Sequence, residues 1–400
     1  MPKRLAVVDN LAGISSFKDI EAWECSTARY SSAVGGNTGN VAFVLGAKLA
    51  IADRQQVIGW GMNPTEAQKQ FDHVVICCAN QIGAHVDLGG WAKILNAWSL
   101  PVTLIGLGAQ TTNYEDSIDV PSGTKTFLST VKSLRASTSP NIGVRGHYTQ
   151  QVLESIGYDS VVTGCPSLFI SSDQRLGNTI ASYDIEAESH RIVAAAGNPY
   201  HVASRKLEER LVALVDDTRG AYIVQHPDVM LSLASGIIKE ELNPKVESIL
   251  GAYGGRFNLV SIRHWMRKNA YSFYDAISWI DFLQHYDFVL GPRYHGVALG
   301  VQAGRPSLCI HIDNRTRELA STTGIKSIGI NEFMEMGVED ILASVKWSMA
   351  EANHFDHNRT SLAKILHEFL TSNDLQPADR LTALASTFSI LKESEQTQFV

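Results

Sequence analysis

An arginine and a histidine two positions apart, Arg293 and His295, are the residues of this sequence best suited to chemistry. They follow an apolar run at residues 288–290 and the pair Gly291-Pro292, and a helical pattern begins directly after them. This order predicts a parallel strand, a turn and a helix, with both side chains at the carboxyl end of the strand. Open α/β sheets bind ligands at that end, and a helix N-terminus favours an anion. We therefore expect Arg293 and His295 to bind a phosphate or a carboxylate.

Further basic side chains follow other predicted strands. Arg145 comes after a short strand at 142–144, His226 after a strand at 222–225, and His264 after a strand at 257–262. Three strands of the second half would then end in His226, His264 and His295. A metal site is one reading, but three separate loops without paired ligand spacing argue against it. We expect no metal, and imidazoles around an anionic ligand fit the pattern better.

A third cluster follows the predicted strand at 308–312. Asp313 could accept a proton from a hydroxyl group, and Arg315 and Arg317 could add positive charge to the same site. The competing interpretation is that Asp313 caps a helix and that both arginines are exposed side chains in solvent. Both interpretations stay open on the sequence alone.

Two glycine-containing loops could bring backbone amides close to a ligand. The first is VGGNTGN at residues 34–40, in which Asn37, Gly39 and Asn40 precede a helical pattern. The second is IGLGAQT at residues 105–111, in which Gly108 and Gln110 follow a strand, and Gln110 and Thr111 could bond sugar hydroxyls. Ordinary turns, with Asn40 as a helix N-cap, are the alternative.

The elements that position these residues alternate between strand and helix, which predicts an α/β fold with parallel sheets. We expect an N-terminal Rossmann-like domain at 1–175, a second at 190–335, and helices at 338–400 that pack on both, with a linker at 171–190. The predicted strands of the first half are 5–8, 74–78, 102–105, 142–144 and 160–163. Those of the second half are 192–196, 222–225, 257–262, 288–290 and 308–312.

Composition narrows the classes of function. The chain has 400 residues, a formal net charge of −7 and no basic block, which argues against nucleic acid as a partner. Five cysteines without C-x-x-C spacing suggest buried thiols in a reducing compartment. No apolar run approaches a membrane span, and the N-terminus lacks a signal-peptide pattern. We expect a cytoplasmic protein.

The motifs and their order resemble the polysaccharide pyruvyl transferase family. GPRYHG at 291–296 resembles its G-x-R-x-H-G motif, AGRP at 303–306 its A-G-x-P, and DNRTRE at 313–318 its D-x-K-x-R-E. Residues 145–157 and TGCPS at 163–167 resemble its R-[DE]-x-x-[ST]-x-x-L-x-x-x-G and TGDPS, and residues 34–40 its G-N-x-G-D loop. The usual acidic residues of the family are replaced by Asn40, Gly146 and Cys165, and its frequent lysine by Arg315.

The resemblance implies two Rossmann-like domains that face a cleft, as in GT-B glycosyltransferases, with the acceptor on the first domain and phosphoenolpyruvate on the second. It implies transfer of the enolpyruvyl group to a sugar diol of a surface polysaccharide or its precursor. The products would be a pyruvate ketal and phosphate. No cofactor is implied, because phosphoenolpyruvate is the donor substrate.

The resemblance also suggests roles for single residues. Arg293 would bind a donor anion, and His295 would act as general acid–base or bind phosphate. Asp313 is a weaker candidate for orienting the acceptor hydroxyl. The remaining candidates for substrate contacts are Arg145, His226, His264, Arg315, Arg317, Asn37, Gly39, Asn40, Gly108 and Gln110.

Two other functions compete with ketal formation. A GT-B glycosyltransferase would also present a cation to a diphosphate, although no acidic residue for ribose and no stacking platform for a base can be identified. A non-catalytic carbohydrate-binding relative is suggested by Asn40 and Cys165. The acceptor sugar, any attachment of the acceptor to a lipid, peripheral membrane contact and homo-oligomer formation stay open.

Overall fold

The computed structural model describes residues 2–9, 11, 26–110, 118–184, 190–201, 204–236 and 239–387. Thr111, Cys25 and the end of the predicted C-terminal helical segment lie outside the described residues. Within the described ranges, no helix is both long enough and apolar enough to cross a bilayer.

The first half of the chain forms a six-stranded parallel sheet in the order β2-β1-β3-β4-β5-β6. β3 and β4 are buried along their whole length, as expected for a parallel sheet covered by helices on both faces. The strands are β1 (Arg4–Val8), β2 (Arg54–Val57), β3 (His73–Cys77), β4 (Val102–Leu107), β5 (Ile142–Val144) and β6 (Val161–Val162). The helices are α1 (Thr27–Ala33), α2 (Asn40–Ala50), α3 (Pro64–Gln70), α4 (Gly89–Trp98), α5 (Ser122–Ser133), α6 (His147–Ser155) and α7 (Leu176–Ala181).

The second half forms another six-stranded parallel sheet, in the order β12-β11-β10-β7-β8-β9. All strands run in the same direction, and the order in which they are added reverses between β7 and β10, which is the strand order of a Rossmann fold and marks its ligand crevice. The strands are β7 (Ile192–Ala195), β8 (Ala221–Ile223), β9 (Ala270–Tyr271), β10 (Phe288–Gly291), β11 (Ser307–His311) and β12 (Ser327–Gly329). The helices are α8 (Arg205–Thr218), α9 (Asp228–Ser235), α10 (Asn243–Leu250), α11 (Leu259–Asn269), α12 (Ala276–Leu283), α13 (Tyr294–Gln302), α14 (Asn314–Thr323) and α15 (Ile330–Glu335).

The predicted fold class, two Rossmann-like α/β units with a cleft, is confirmed, but one predicted strand is wrong. Residues 257–262 enter helix α11 instead, because Asn258 and Ser261 form a capping box. The buried residues Ile262, Trp265 and Met266 then follow helical spacing. The strands β2, β9 and β12 escaped prediction because none of them contains a run of buried apolar residues. The segment predicted as a linker contains helix α7.

Helices α16 (Val338–Val345) and α17 (Met349–Ser372) follow the second sheet, and residues 379–387 are also helical. Helix α17 packs against α7 and α14, and against a 3₁₀ helix at Pro166–Phe169. Its buried Arg359 donates hydrogen bonds to the carbonyl groups of Leu168, Ser171 and Asp173. This long helix therefore fixes the segment that connects the two sheets.

Direct contacts also join the two halves beside the cleft. The backbone N–H of Thr38 donates to the carbonyl of Gln225 over 3.1 Å. Glu318 of α14 accepts hydrogen bonds from the backbone N–H of Thr149 at 2.9 Å and from its hydroxyl at 3.2 Å. The carboxylate thus lies at the N-terminus of α6, where the helix dipole favours negative charge. A Cβ at Gly146 would lie 2.4 Å from Glu318 Cγ, so glycine makes room for this carboxylate.

Candidate functional site

A chamber of about 50 Å³ lies between the two sheets and is lined by residues from both halves. We call it the inner chamber. It is surrounded by the carboxyl ends of β3, β5, β8 and β10 and by the first turns of α2, α13 and α14. Its lining residues are Asn37, Asn40, Ala79, Asn80, Arg145, Gln225, Arg293, Tyr294, His295, Arg315, Thr316 and Leu319.

A larger space of about 500 Å³, the outer cleft, shares Arg293 and Arg315 with the inner chamber. Its lining is mostly polar and contains three histidines. The lining residues are Ala84, His85, Gln110, Asn198, His201, His226, Pro292, Arg293, Ile312, Asp313 and Arg315. A sugar ring needs the volume of the outer cleft, whereas the inner chamber suits a small charged group.

Arg145 follows β5 and is buried, with 2% of its surface exposed. Its guanidinium donates to the carbonyl of Gly106 from Nε at 3.0 Å and from Nη2 at 2.8 Å, and to Cys78 O at 3.1 Å. Nη1 donates to Asn80 Oδ1 at 2.7 Å. The three acceptor atoms of these four hydrogen bonds are uncharged, so they orient the guanidinium without neutralising it. The prediction that Arg145 faces the cleft agrees with its place in the inner chamber.

Gly108 leaves the space that the side chain of Arg145 occupies. A Cβ at residue 108 would lie 2.6 Å from Asn80 Oδ1 and 2.8 Å from Arg145 Nε. Gly108 is absent from the lining of both cavities, so it packs against the arginine side chain and does not contact the space where a ligand would bind.

Arg293 lies at the carboxyl end of β10, beside the point where the strand order of the second sheet reverses, and it lines both cavities. Its Nε is buried without a hydrogen-bond partner among the described residues, and no carboxylate of those residues lies within ion-pair distance. Burial, with the nearby charge of Arg315, lowers the pKa of Arg293 to about 10. The side chain is therefore a cation at neutral pH that lines the space where a ligand would bind.

His295 is the second residue of α13, in the first turn of the helix, and is partly buried. Its Nε2 lies 3.5 Å from Cys165 Sγ, and its ring packs against Phe43 at a centroid distance of 5.5 Å. Desolvation, with the charges of Arg145 and Arg315, lowers the pKa of His295 to about 3. The imidazole is neutral at physiological pH and can accept a proton.

Arg315 and Asp313 meet at the boundary of the two cavities. Asp313 Oδ1 accepts hydrogen bonds from the backbone N–H and the hydroxyl of Thr316, both at 2.8 Å, which caps α14. Its Oδ2 lies 3.3 Å from Arg315 Nη2. Both interpretations of the sequence thus apply in part, because Asp313 caps a helix and also lines the outer cleft.

The glycine loop at 34–40 reaches the site through Asn37 and Asn40, which line the inner chamber. Asn40 is the first residue of α2 rather than its N-cap, and its amide donates to Val34 O at 2.7 Å. Gly39 is required by a close approach, since a Cβ there would lie 2.5 Å from Gln225 Oε1 and 3.1 Å from His295 Cβ.

His226 and Gln110 line the outer cleft, as the strand-end interpretation predicts. His226 Nδ1 donates to the carbonyl of Gly36 at 2.9 Å, so its Nε2 is the acceptor of the ring. Desolvation and the charge of Arg293 lower the pKa of His226, which favours the neutral ring.

Two candidates lie elsewhere. His264 is exposed on helix α11 and lines neither cavity, because the predicted strand that would have carried it to the sheet edge is a helix. Arg317 is exposed on α14 and is likewise absent from both linings. Helical spacing turns it away from Arg315, which lies two residues earlier.

Sequence reasoning missed Gln225, Asn80 and the contact of Cys165 with His295. Gln225 is 1% exposed and directly precedes His226, so the strand-end argument could have included it. Asn80 follows β3 in the same way. The distance of Cys165 from His295 has no local signal, because 130 residues separate the two in the chain.

No group of three or more His, Cys, Asp or Glu side chains that could hold a metal ion occurs within the described part of the chain. The inner chamber is lined by cations, amides and a neutral imidazole. Such a set can bind an anion and transfer a proton.

Comparison with known proteins assigns the chain to a family. The family model for polysaccharide pyruvyl transferase matches residues 37–314, which is more than half of the chain. A search of curated proteins finds no match.

The fold is also similar to solved UDP-GlcNAc 2-epimerases at low identity. The enzyme from Neisseria meningitidis bound to UDP-GlcNAc is 12% identical with a TM-score of 0.42, and the match covers 92% of this chain and 100% of that one. The enzyme from Methanocaldococcus jannaschii is 11% identical with a TM-score of 0.39, covering 86% and 92%. These likenesses are too distant to bear on activity.

Proposed function

The chain belongs to the polysaccharide pyruvyl transferase family, and we propose that it transfers the enolpyruvyl group of phosphoenolpyruvate to a sugar diol. The acceptor is a surface polysaccharide or its precursor, free or lipid-linked, and the products are a cyclic pyruvate ketal and phosphate. One observation carries the proposal: Arg145, Arg293 and Arg315 line the same small chamber as the neutral imidazole of His295. Phosphoenolpyruvate has two anionic groups, and this chamber concentrates cations in an acidic protein.

The neutral state of His295 fits the first step. The imidazole takes the proton of the attacking hydroxyl as the oxygen bonds to C2, and passes it to the methylene carbon, which becomes a methyl group. The C2–O bond to phosphate then breaks, and the second hydroxyl attacks C2. Its proton leaves with the phosphate, so protons and charges balance without a further reactant.

The arginines stabilise the charge that develops on the departing phosphate. Arg293 lines both cavities, its Nε has no hydrogen-bond partner among the described residues, and a guanidinium fork matches two phosphate oxygens. Arg315 adds a second cation held in place by Asp313. The outer cleft, with Gln110 and His226, holds the sugar whose hydroxyl groups react.

The test measures inorganic phosphate when the purified chain is incubated with phosphoenolpyruvate and galactose-, glucose- or mannose-containing acceptors. Phosphate release and a ketal that depend on the acceptor support the proposal. A parallel reaction offers UDP-, GDP- and CDP-sugars. Glycosyl transfer from one of these, without phosphate release from phosphoenolpyruvate, would make the chain a glycosyltransferase. Binding of a glycan without either reaction would make it a carbohydrate-binding protein.

A further inference from the structure

Gln225 is a buried polar side chain that the mechanism above does not use. It is 1% exposed, and its Nε2 has no hydrogen-bond partner among the described residues. It nevertheless lines the inner chamber. An unsatisfied buried amide is unfavourable, so a carboxamide at this place is explained if a ligand completes its hydrogen bonds.

Two glycines hold the carboxamide in one orientation. A Cβ at residue 39 would lie 2.5 Å from Oε1 of Gln225, and a Cβ at residue 296 would lie 2.7 Å from Nε2. The backbone of Gln225 is fixed as well, since its carbonyl accepts the N–H of Thr38 from the opposite half. The amide is thus pre-positioned between the G-N-x-G-D-like loop and the first turn of α13.

The number of N–H donors available to a ligand differs between the inner chamber and its boundary with the outer cleft. Arg145 uses four of the five N–H groups of its guanidinium within the protein, which leaves one on Nη1 for a ligand. One N–H from Arg145 and the amide of Gln225 match the two oxygens of a carboxylate. Arg293 and Arg315, at the boundary with the outer cleft, offer the larger number of donors that a phosphate dianion needs.

We infer that the inner chamber binds the carboxylate of the donor through Arg145 and Gln225, while the phosphate lies at Arg293 and Arg315. This inference rests on the proposed function. The exit of the leaving group supports the same orientation. A phosphate in the 50 Å³ chamber would be trapped behind the newly formed ketal, whereas one at the boundary leaves through the 500 Å³ cleft. The carboxylate, which stays in the product, can occupy the closed end.

The experiment compares two ligands on the full chain. Phosphoenolpyruvate carries both anionic groups, and ethyl phosphate lacks the carboxylate. Their dissociation constants are measured by calorimetry for the wild type and for Gln225→Met, which keeps the length of the side chain but removes its amide. A surface variant, Gln284→Met, serves as the matched control. Thermal melting establishes that Gln225→Met is folded.

We expect Gln225→Met to weaken phosphoenolpyruvate about tenfold to a hundredfold, as for a lost hydrogen bond to a charged group, and to leave ethyl phosphate within twofold. Arg315→Ala should weaken both ligands. Equal loss of both ligands in Gln225→Met, or no loss of either, would overturn the inference while leaving the donor assignment intact. Failure of the wild type to bind phosphoenolpyruvate would overturn the donor assignment and the inference with it.

Discussion

At the scale of single residues, the site depends on cations that the protein itself does not neutralise. Arg293 has no carboxylate within ion-pair distance among the described residues, and Arg145 is held by uncharged acceptors. A buried cation without a counter-ion is unfavourable in the free protein. Binding of an anion removes that cost, so the arginines without a counter-ion favour ligand binding.

The first prediction concerns Arg293. Arg293→Ala should lower kcat/KM by at least about 10²–10³-fold, the usual effect of removing one donor to a developing charge. Arg293→Lys should also lose heavily, because an ammonium group cannot form the two parallel hydrogen bonds of the fork. Steady-state rates of phosphate release measure both variants, with circular dichroism as the control for folding. Turnover close to the wild type in Arg293→Ala would remove this residue from the donor site.

Cys165 allows a test of the protonation state of His295. Its Sγ lies 3.5 Å from Nε2, and the pKa of the imidazole is about 3 in the absence of a nearby carboxylate partner. Cys165→Asp should raise the pKa of His295 by about 1–3 units, because an opposite charge at this distance favours the imidazolium. Cys165→Ser is the uncharged control.

Nuclear magnetic resonance of the imidazole carbons measures this shift directly. Since the proposed base is the neutral ring, the acid limb of the pH–rate profile should move upward in Cys165→Asp together with the pKa. An unchanged titration in Cys165→Asp would mean that the two side chains do not interact in solution.

At the scale of elements, strand β3 carries a buried histidine that ties stability to pH. His73 is fully buried, its Nε2 bonds to Thr103 Oγ1 on β4 at 2.8 Å, and its Nδ1 has no partner among the described residues. Desolvation lowers the pKa of His73 to about 4. The unfolded chain binds this proton near pH 6.5, so the free energy of unfolding falls as the pH drops from about 6.5 to 4.

Replacing His73 by Gln should reduce that dependence. Glutamine can keep the hydrogen bond to Thr103 and takes up no proton. Between pH 6 and 4.5 the free energy of unfolding should fall less steeply in the variant than in the wild type. The two slopes should differ by about 1.4 kcal/mol per pH unit, which corresponds to one proton. Urea unfolding at several pH values measures the two slopes. Equal slopes would show that His73 is protonated in the folded state over this range.

Prediction from sequence succeeded where an element is defined by its own residues. The strand–turn–helix unit around Arg293 has an apolar strand, Gly291-Pro292 and a helical pattern in a single run. Prediction failed at residues 257–262, where apolar spacing over a few residues fits strand or helix equally. The capping box of Asn258 decides for the helix and moves His264 to the surface.

At the scale of the whole molecule, the two sheets are held at the site by a few buried polar contacts. Glu318 reaches the N-terminus of α6, Thr38 bonds to Gln225, and Arg359 fixes the connecting segment to α17. Each contact lies within or next to elements that line the inner chamber. The geometry of the site thus depends on how the two halves of the chain are positioned relative to each other.

The last prediction concerns Arg359. Arg359→Met keeps much of the apolar stem but leaves the carbonyl groups of Leu168, Ser171 and Asp173 without their donor, at about 1 kcal/mol or more for each. The free energy of unfolding should fall by about 3 kcal/mol or more. Lys364→Met, at an exposed position of the same helix, should change it by less than about 0.5 kcal/mol. Similar melting temperatures for both variants would contradict this account.

The sequence by itself determined the α/β class, the order of the motifs and the place of Arg145, Arg293 and His295 at strand ends, because each depends on a short run of neighbouring residues. Only the tertiary structure decided that Cys165 and Gln225 join them, and that His264 and Arg317 do not. It also decided that His295 is neutral, since desolvation and nearby arginines come from both halves of the chain. Local patterns specify elements, whereas the charge state of a buried group depends on everything packed around it.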